Sequence, residues 1–437
     1  MTVRYPPDLD VGLFFLLRQL TANGEGPGPG PAPLETQTQV ASLKGATTAA
    51  QLVLETEPLT PAASGTVVLL ATVSASTPSR TVPPQVSLWL DPDSATAPLE
   101  VGRIISFSEF GGGTTSLAAL IDVPLGEPRP YRLQVDAPAF SVTVPGDIAT
   151  DTVDAAALGM TLVAVELPNG SNSFIVPFES GTVAVGAPLV LTSPELLPGS
   201  DGTFIAFGFA FAQAASGNGQ LSLFVDDAGA AGPPLVVARN ITSQGNGGGA
   251  TVIGGRFETD PGARHTFSLR IDAAASTLTI PGPLVGPAPE LGACLFGFEL
   301  PAGASSFFEG SPGGMATVGG TPLTVDADAV SRASGTFVVV GLAFMASDAE
   351  DINPQVSLVL EGGTTLLSGR NDCFTDYGGG TVTLAARIQI PAGETRTVTL
   401  RVDATDPAVP TVVPGPWIPG TVSPPVHGMV LFGWELA

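Results

Sequence analysis

Pro84-Gln85-Val86-Ser87-Leu88 returns as Gly219-Gln220-Leu221-Ser222-Leu223 and again as Pro354-Gln355-Val356-Ser357-Leu358, so the three glutamines stand 135 residues apart twice. The match extends on both sides. Upstream, Gly65-Thr66-Val67, Gly202-Thr203-Phe204 and Gly335-Thr336-Phe337 each open an apolar run. Downstream comes a triple glycine: Gly111-Gly112-Gly113, Gly247-Gly248-Gly249 and Gly378-Gly379-Gly380. A segment ending in Asp follows, at Leu133-Gln134-Val135-Asp136, Leu269-Arg270-Ile271-Asp272 and Leu400-Arg401-Val402-Asp403. Each copy closes on Glu-Leu, at Glu166-Leu167, Glu299-Leu300 and Glu435-Leu436. Solenoid repeats are usually a few tens of residues long. A period this long describes three complete domains of one fold in tandem.

A chain of 437 residues has room for three domains of ordinary size, each able to bury its own core. The 54 glycines and 42 prolines make up about a fifth of the chain, but 44% hydrophobic content argues against disorder and for a turn-rich β protein. The net charge is −24, with 16 basic residues of which one, Lys44, is a lysine. Phosphate backbones and anionic membranes call for clustered Lys and Arg, so neither nucleic acid nor membrane is an expected partner. The acidity fits solubility through self-repulsion.

The repeats set the expected boundaries. Residues 1–35 form an N-terminal anchor segment and linker, followed by β-sandwich copy 1 (36–168), copy 2 (169–301) and copy 3 (302–437). In the anchor, Leu9, Leu13, Leu16, Leu17 and Leu20 fall on one helical face, with Phe14 inside the same apolar run. Pro6-Pro7 and Asp8 supply helix-initiating chemistry. Asp8 and Asp10 occupy the place where a signal peptide carries its basic region, so no export signal is assigned. Gly24 to Pro33 reads as a linker of mixed flexible and extended character. A short apolar helix on such a tether is expected to dock, on its own protein or on a larger partner.

From Thr36 onward, five- to eight-residue runs of β-branched and aromatic residues alternate with Pro, Gly, Asn and Asp punctuation, the pattern of a sandwich or barrel. Phe207-Gly208-Phe209-Ala210-Phe211 puts bulky residues on one face and small ones on the other. In the closing strands, one face reads Thr161, Val163, Val165; Cys294, Phe296, Phe298; Val430, Phe432, Trp434. Its apolar character places these strands centrally in a sheet. The small residues at matching places on the other face, Ala164, Gly297 and Gly433, let another layer approach closely.

A unit of about 130 residues in which Pro391-Ala392-Gly393-Glu394-Thr395 feeds the strand Val398 to Val402, and whose last strand has the form Cys294-Leu295-Phe296-Gly297-Phe298-Glu299-Leu300, resembles a TNF/C1q-like jelly roll. The resemblance covers all three copies, while other jelly rolls and Greek-key sandwiches stay open. Members of that family pack as trimers around a central axis. The resemblance therefore implies a pseudo-threefold trimer made from one polypeptide.

Sites for chemistry are sparse. His265 and His427 belong to no recognisable catalytic set, and each aligns with a non-histidine in the other copies. Cys294 and Cys373 sit at different places in their repeats and are read as free thiols. With two histidines, these cysteines cannot supply zinc-ligand spacing. Asp91 with Asp93, Asp226 with Asp227, Asp326 with Asp328, and the run Asp348 to Asp351 offer oxygen clusters, but none resembles an EF-hand loop. Asp136, Asp272, Asp403, Glu166, Glu299 and Glu435 recur in every copy, which suits a structural task better than an active site. No Gly-Lys-Ser/Thr follows the triple glycines, so backbone freedom explains them better than phosphate binding. The sequons at Asn169 and Asn240 are read as chance.

The reading is of an all-β, non-enzymatic structural protein: three tandem β-sandwich domains behind a short N-terminal helical anchor, with no cofactor and no metal assigned. A strongly acidic, signal-free chain that multiplies one sandwich suits a virion component, made in the host cytoplasm, such as a phage head-decoration, fibre or spike protein. Its expected partner is a capsid or other virion structural protein, bound through Leu9, Leu13, Phe14, Leu16, Leu17 and Leu20, with a host surface protein or glycan as a further contact. The alternative is a bacterial cell-surface or secreted adhesin that binds glycans or proteins through its loops.

Overall fold

The computed structural model describes residues 38–436 apart from 44, 49, 79–82, 94, 104–111, 138–139, 147–152, 155, 200–201, 227–231, 241–247, 261, 313–315, 348–352, 372, 374–378, 407 and 419. The expected N-terminal helix and its linker lie outside the described residues, as do Asp227 and the acidic run from Asp348 to Asp351. Among the described residues the chain is all-β.

Copy 1 supplies β1 (Thr38–Leu43), β2 (Ala46–Thr48), β3 (Gln51–Glu55), β4 (Thr66–Ala75), β5 (Gln85–Leu90), β6 (Glu100–Arg103), β7 (Gly113–Asp122), β8 (Tyr131–Asp136), β9 (Val142–Val144) and β10 (Met160–Glu166). Copy 2 supplies β11 (Ser173–Phe178), β12 (Gly181–Val183), β13 (Leu189–Thr192), β14 (Thr203–Ala214), β15 (Gly219–Val225), β16 (Val236–Asn240), β17 (Gly249–Glu258), β18 (Phe267–Ala273), β19 (Leu278–Ile280) and β20 (Ala293–Glu299). Copy 3 supplies β21 (Ser306–Pro312), β22 (Ala316–Val318), β23 (Leu323–Val330), β24 (Thr336–Ser347), β25 (Gln355–Leu360), β26 (Thr364–Arg370), β27 (Gly380–Gln389), β28 (Thr395–Asp403), β29 (Thr411–Val413) and β30 (His427–Glu435).

Every ladder among these strands is antiparallel and joins strands of the same copy, in one repeated order. The first sheet runs β1-β10-β4-β7, β11-β20-β14-β17 and β21-β30-β24-β27. The second runs β3-β8-β5-β6, β13-β18-β15-β16 and β23-β28-β25-β26. Registers repeat as well: Thr66 faces Asp122, Thr203 faces Glu258 and Thr336 faces Gln389 at the start of the longest pairings. The peptide bonds Val144-Pro145, Ile280-Pro281 and Val413-Pro414 are all cis.

The two sheets stack face to face as a β-sandwich, and burial separates their roles. The second sheet alternates, as β8 and β23 show, with one face on the core and one in solvent. In the first sheet β4 and β24 are buried at every position, and β14 at all but one. A sheet buried on both faces needs a near-continuous apolar run, which is what Gly65-Thr66-Val67 and its counterparts open. The small-residue face of β14 meets its own second sheet, since a Cβ on Gly208 would lie 2.6 Å from the Leu269 side chain on β18. The phenylalanine face turns away from that interior, toward the neighbouring copy.

The closing strands β10, β20 and β30 are central, each flanked on both sides. The space above Gly297 and Gly433 is filled from the adjacent strand, because an added Cβ would meet the rings of Phe174 and Phe307. Phe174 in turn stacks on Phe267 of β18, at 5.6 Å between centroids.

Two glycine positions per copy are fixed by backbone geometry. Gly65, Gly202 and Gly335 have φ of 72°, 61° and 73°, and a Cβ there would lie 2.6, 2.2 and 2.3 Å from a carbonyl oxygen of the facing loop. The middle residues of the triple glycines, Gly112, Gly248 and Gly379, have φ of 84°, 86° and 82°, and a Cβ there would run into the carbonyls of Ala75, Ala212 and Met345. Left-handed backbone plus a carbonyl contact excludes any side chain. Gly335→Ala is expected to lose more stability in urea unfolding than Gly393→Ala. The latter has φ of 81° with nothing within 4 Å, so it carries only the backbone term of about 1–3 kcal/mol.

Candidate functional site: the seams between the repeat copies

The face of the first sheet that turns away from its own sandwich is covered by the other two copies. Phe207 on β14 stacks against Phe296 on β20 at 5.2 Å and meets Phe432 of copy 3 in a tilted contact at 5.8 Å. Phe298 meets Trp434 of copy 3 edge-on at 5.5 Å. Val338, Val340, Leu342, Val430, Phe432 and Trp434 of copy 3 join one apolar cluster with copies 1 and 2, whereas Phe337, Val339, Ala343, Met429 and Leu431 form the interior of copy 3 itself. Alternate residues of β24 and β30 thus serve two different cores, a direct result of strand periodicity. The bulky face of the closing strands, noted in the sequence for its apolar character, is therefore a face between copies.

The seams run head to tail and return to their start. The Glu290 and Leu291 amides of copy 2 donate to the Pro98 and Leu99 carbonyls of copy 1. Those of Val426 and His427 in copy 3 donate to Pro234 and Leu235 of copy 2. Those of Ala157 and Leu158 in copy 1 donate to Thr365 and Leu366 of copy 3. Each copy thus offers the outer edge of its second sheet to the segment that enters the next copy's closing strand.

Two of the repeated glutamines clamp such junctions. Gln85 accepts from the Val285 amide through Oε1 and donates to the Val285 carbonyl through Nε2, both at 2.8 Å. Gln220 accepts from the Ile418 amide at 2.6 Å and donates to Thr421 Oγ1 at 3.2 Å. An arginine reinforces each clamp: Arg103 Nε donates to the Pro283 carbonyl at 3.1 Å, and an Arg239 terminal nitrogen to the Pro416 carbonyl at 3.0 Å. Burial lowers the pKa of both guanidinium groups, that of Arg239 to about 10. Arg370 stands at the same ladder position in copy 3, paired with Gln355. The glutamines were visible as a repeat, but their task was not, because the backbone that Gln85 and Gln220 hold lies in a different copy some 200 residues away. The arginines went unread; their signal was one basic residue at the same place in each copy of a base-poor chain.

The strands that follow the triple glycines meet around a common axis with hydroxyl-rich surfaces. Ser116 Oγ donates to the Thr383 carbonyl at 2.5 Å, and Thr383 Oγ1 to the Val252 carbonyl at 2.8 Å, so one chain of bonds crosses all three copies. Thr381 Oγ1 accepts from the Arg239 amide at 2.9 Å, and Thr114 Oγ1 from the Arg370 amide at 3.1 Å. Asn371 Nδ2 donates to Asn240 Oδ1 at 2.5 Å. Thr114, Thr115, Ser116, Asn240, Thr251 and Thr381 line a small polar cavity there.

The repeated carboxylates bind their own copies. Glu166 accepts from the amides of Ala62, Ala63 and Gly65 at 2.8–3.0 Å. Glu435 does the same for Arg332, Ala333 and Gly335 and adds the Ser331 hydroxyl, while Glu299 takes the Gly199 amide and Asn172. Asp272 and Asp403 pair with Arg270 and Arg401 two residues away, and Asp136 accepts from Gln134.

The remaining candidates are dispersed. His265 pairs with Asp226 at 2.6 Å on copy 2, and His427 Nδ1 lies 3.1 Å from the Ser311 carbonyl. Asp91 pairs with Arg129, and Asp326 and Asp328 accept from Thr399 and Thr397. Among the described residues no three His, Cys, Asp or Glu side chains converge as a metal site would require. Cys294 and Cys373 are buried and form no disulfide. Asn240 is buried in its seam, which leaves its sequon no room for a glycan. The proposed anchor residues Leu9, Leu13, Phe14, Leu16, Leu17 and Leu20 lie outside the described residues.

No protein-family model and no curated protein matches this chain. The N-terminal CBM22-1-CBM22-2 tandem domain of Xyn10C from Paenibacillus barcinonensis is similar at 12% identity, covering 61% of this chain and 98% of that one, with a TM-score of 0.19. Dimeric latent PorU from Porphyromonas gingivalis is similar at 9% identity, over 84% of this chain and 33% of its own, with a TM-score of 0.22. T=1 particles derived from infectious bursal virus are similar at 9% identity, over 97% of this chain and 79% of theirs, with a TM-score of 0.17. Likenesses at these scores carry no argument about function.

Two outcomes are expected from seam and cap variants. Gln220→Ala strips the Ile418 amide of its buried partner and is expected to cost about 1–3 kcal/mol of stability, read as a lower midpoint in urea unfolding. For Glu435, burial raises the pKa, but the amides of Ala333, Arg332 and Gly335 and the Ser331 hydroxyl together outweigh it and hold the pKa below the usual range. The stability it contributes is present above the ordinary carboxyl pKa and is lost as pH falls through the folded-state value. Glu435→Gln, which cannot accept three amides, is therefore expected to destabilise at pH 7, with the gap in thermal melts closing as pH falls below the ordinary carboxyl range.

Proposed function

We propose that this chain is a non-enzymatic structural protein, a single-chain pseudo-trimer of jelly rolls, and that it serves as a virion component such as a head-decoration, fibre or spike protein. The observation that carries the reading is the closed ring of seams, in which copy 3 docks on copy 1 as copy 1 docks on copy 2. A closed ring consumes its own interfaces, and what it leaves for a partner is its ends, its outer sheets and the N-terminal segment.

Strand order supports the jelly-roll assignment. Setting aside the short β2 and β9, the remaining eight strands of copy 1 fall in the sequence 1-8-3-6 on one sheet and 2-7-4-5 on the other. That order is what two nested Greek keys produce. The TNF/C1q-like likeness, with its trimers about a central axis, agrees with this arrangement and belongs to the same proposal. The non-enzymatic reading draws on the repeated carboxylates, each bound to amides, arginine or glutamine of its own copy.

In the proposal, Leu9, Leu13, Phe14, Leu16, Leu17 and Leu20 attach the ring to a capsid or other virion structural protein. β1 begins opposite Val165, beside the end of β10, so the segment before Thr38 leaves from the end of copy 1 where its closing strand finishes. Affinity capture of the full chain from its native source, with electron microscopy of what co-purifies, tests this against a form lacking residues 1–35. Shells, tails or fibres recovered only with the intact N-terminus are the expected result. A lone protein from both forms would overturn the virion reading in favour of an adhesin.

A further inference from the structure

One seam carries an ionisable group where its counterparts carry hydrocarbon. Glu100 stands opposite Leu88, at the edge that docks on copy 2; the matching places hold Val236 opposite Leu223 and Leu367 opposite Leu358. The Glu100 residue is 0% exposed, and so is Cys294 of copy 2, which faces it across the seam. The Ala118 amide donates to Glu100 Oε2 at 2.9 Å, while Cys294 Sγ lies 3.5 Å from Oε1 and 3.7 Å from the Ala118 carbonyl oxygen. These contacts suit a neutral carboxyl group. The single thiol proton has two acceptors within reach, Oε1 and the Ala118 carbonyl; a proton on Oε1 would turn the thiol to the carbonyl and give each of these polar atoms a partner.

Among the described residues, the elements packed around Glu100 offer it no counter-charge. β5 and β14 contain no titratable residue. β7 has only Asp122, at its far end and bonded to Thr66. β20 adds Glu299, held by the Gly199 amide and Asn172. On β17, Arg256 pairs with Glu258. Glu290, before β20, engages Pro98 through its backbone, and burial raises its own carboxyl pKa. Arg103, on β6 itself, is turned to the carbonyls of Pro283 and Pro83.

We infer that the Glu100–Cys294 contact makes the seam between copies 1 and 2 a pH-dependent joint, closed while the carboxyl is neutral and loosened when it ionises. An ionised carboxylate without a cation is strongly disfavoured away from water, and opening the seam supplies that water. Burial drives the pKa of closed-state Glu100 well above the carboxylate range, against the opposing effect of the Ala118 amide and the Cys294 thiol. In the opened seam the group ionises near its ordinary value. Between those two values each pH unit favours the open form by up to about tenfold, and the effect levels off above the closed-state value. Val236 and Leu367 give the matching edges of copies 2 and 3 no such dependence.

The Cys294 thiol reports the joint directly. In the full chain, alkylation by N-ethylmaleimide is followed from pH 6 to 9 by peptide mass spectrometry, with buried Cys373 of copy 3 as the internal reference. The expected result is a labelling ratio of Cys294 to Cys373 that climbs by tenfold or more in the native chain and stays nearly flat in Glu100→Gln, which keeps the acceptor for Ala118. Equal slopes in both forms, or equal acceleration of both cysteines, would overturn the proposal. Hydrogen exchange of the native chain, corrected for intrinsic rates, decides independently of any variant. β6, β7 and β20 are expected to lose protection as pH rises while β16 and β30 do not, and a uniform loss across these strands would sink the joint.

Discussion

The structure depends on one constraint: the first sheet of each copy is apolar on both faces, and a two-layer sandwich can cover only one of them. A solitary copy 2 would expose Phe207, Phe296 and Phe298 side by side, a patch of the kind that drives association. The second face is buried by neighbours, and a ring of three covers every such face with nothing left over. Burying a phenylalanine contributes about 1.5–3 kcal/mol, so the aromatic seams rank with the sandwich interiors as a source of stability. This is why cores and seams merge into shared apolar clusters.

Hydrophobic contact sets proximity, while polar contact sets register. The edge of each second sheet carries unpaired backbone groups, which are a standing invitation to pair with another chain. Here they are met by the segment leading into the next copy's closing strand. A glutamine is well suited to hold that junction, since one amide group satisfies both a donor and an acceptor of a passing backbone. Buried arginines beside it reach backbone carbonyls. Near the axis the hydroxyls of Ser116, Thr381 and Thr383 take over, because three backbones that approach closely leave polar atoms needing partners in a space too small for long side chains.

Joining three copies in one chain lets them differ. In a trimer of identical chains each seam residue must fit three times over. Here one closing-strand face reads Thr161, Val163, Val165, the next Cys294, Phe296, Phe298 and the third Val430, Phe432, Trp434, so each seam is filled in its own way. A buried carboxyl in one seam is an expression of that freedom. A structural role gains from the same design, since the ring's stoichiometry is fixed by the chain rather than by concentration.

Much of the architecture was legible in the residues. Alternation in β14 and the punctuation between strands identified an all-β chain, because pleat periodicity is local. The Glu before the terminal Leu recurs in every copy, and in copies 1 and 3 it gathers three loop amides, a local task of the sandwich itself. The N-terminal segment, which carries the proposed attachment, lies outside the described residues. Partners remote in the chain were not legible. Nothing in Gln85 names Val285, nothing in Glu100 names Cys294, and Phe207 looks the same whether it faces its own sandwich or a neighbour. The sequence alone determined which residues alternate, where the backbone must turn left-handed and how many times the unit is written. Only the tertiary structure decided which of two apolar faces closes the sandwich and which closes the ring, because a strand's pattern specifies that a face is buried and leaves open what buries it.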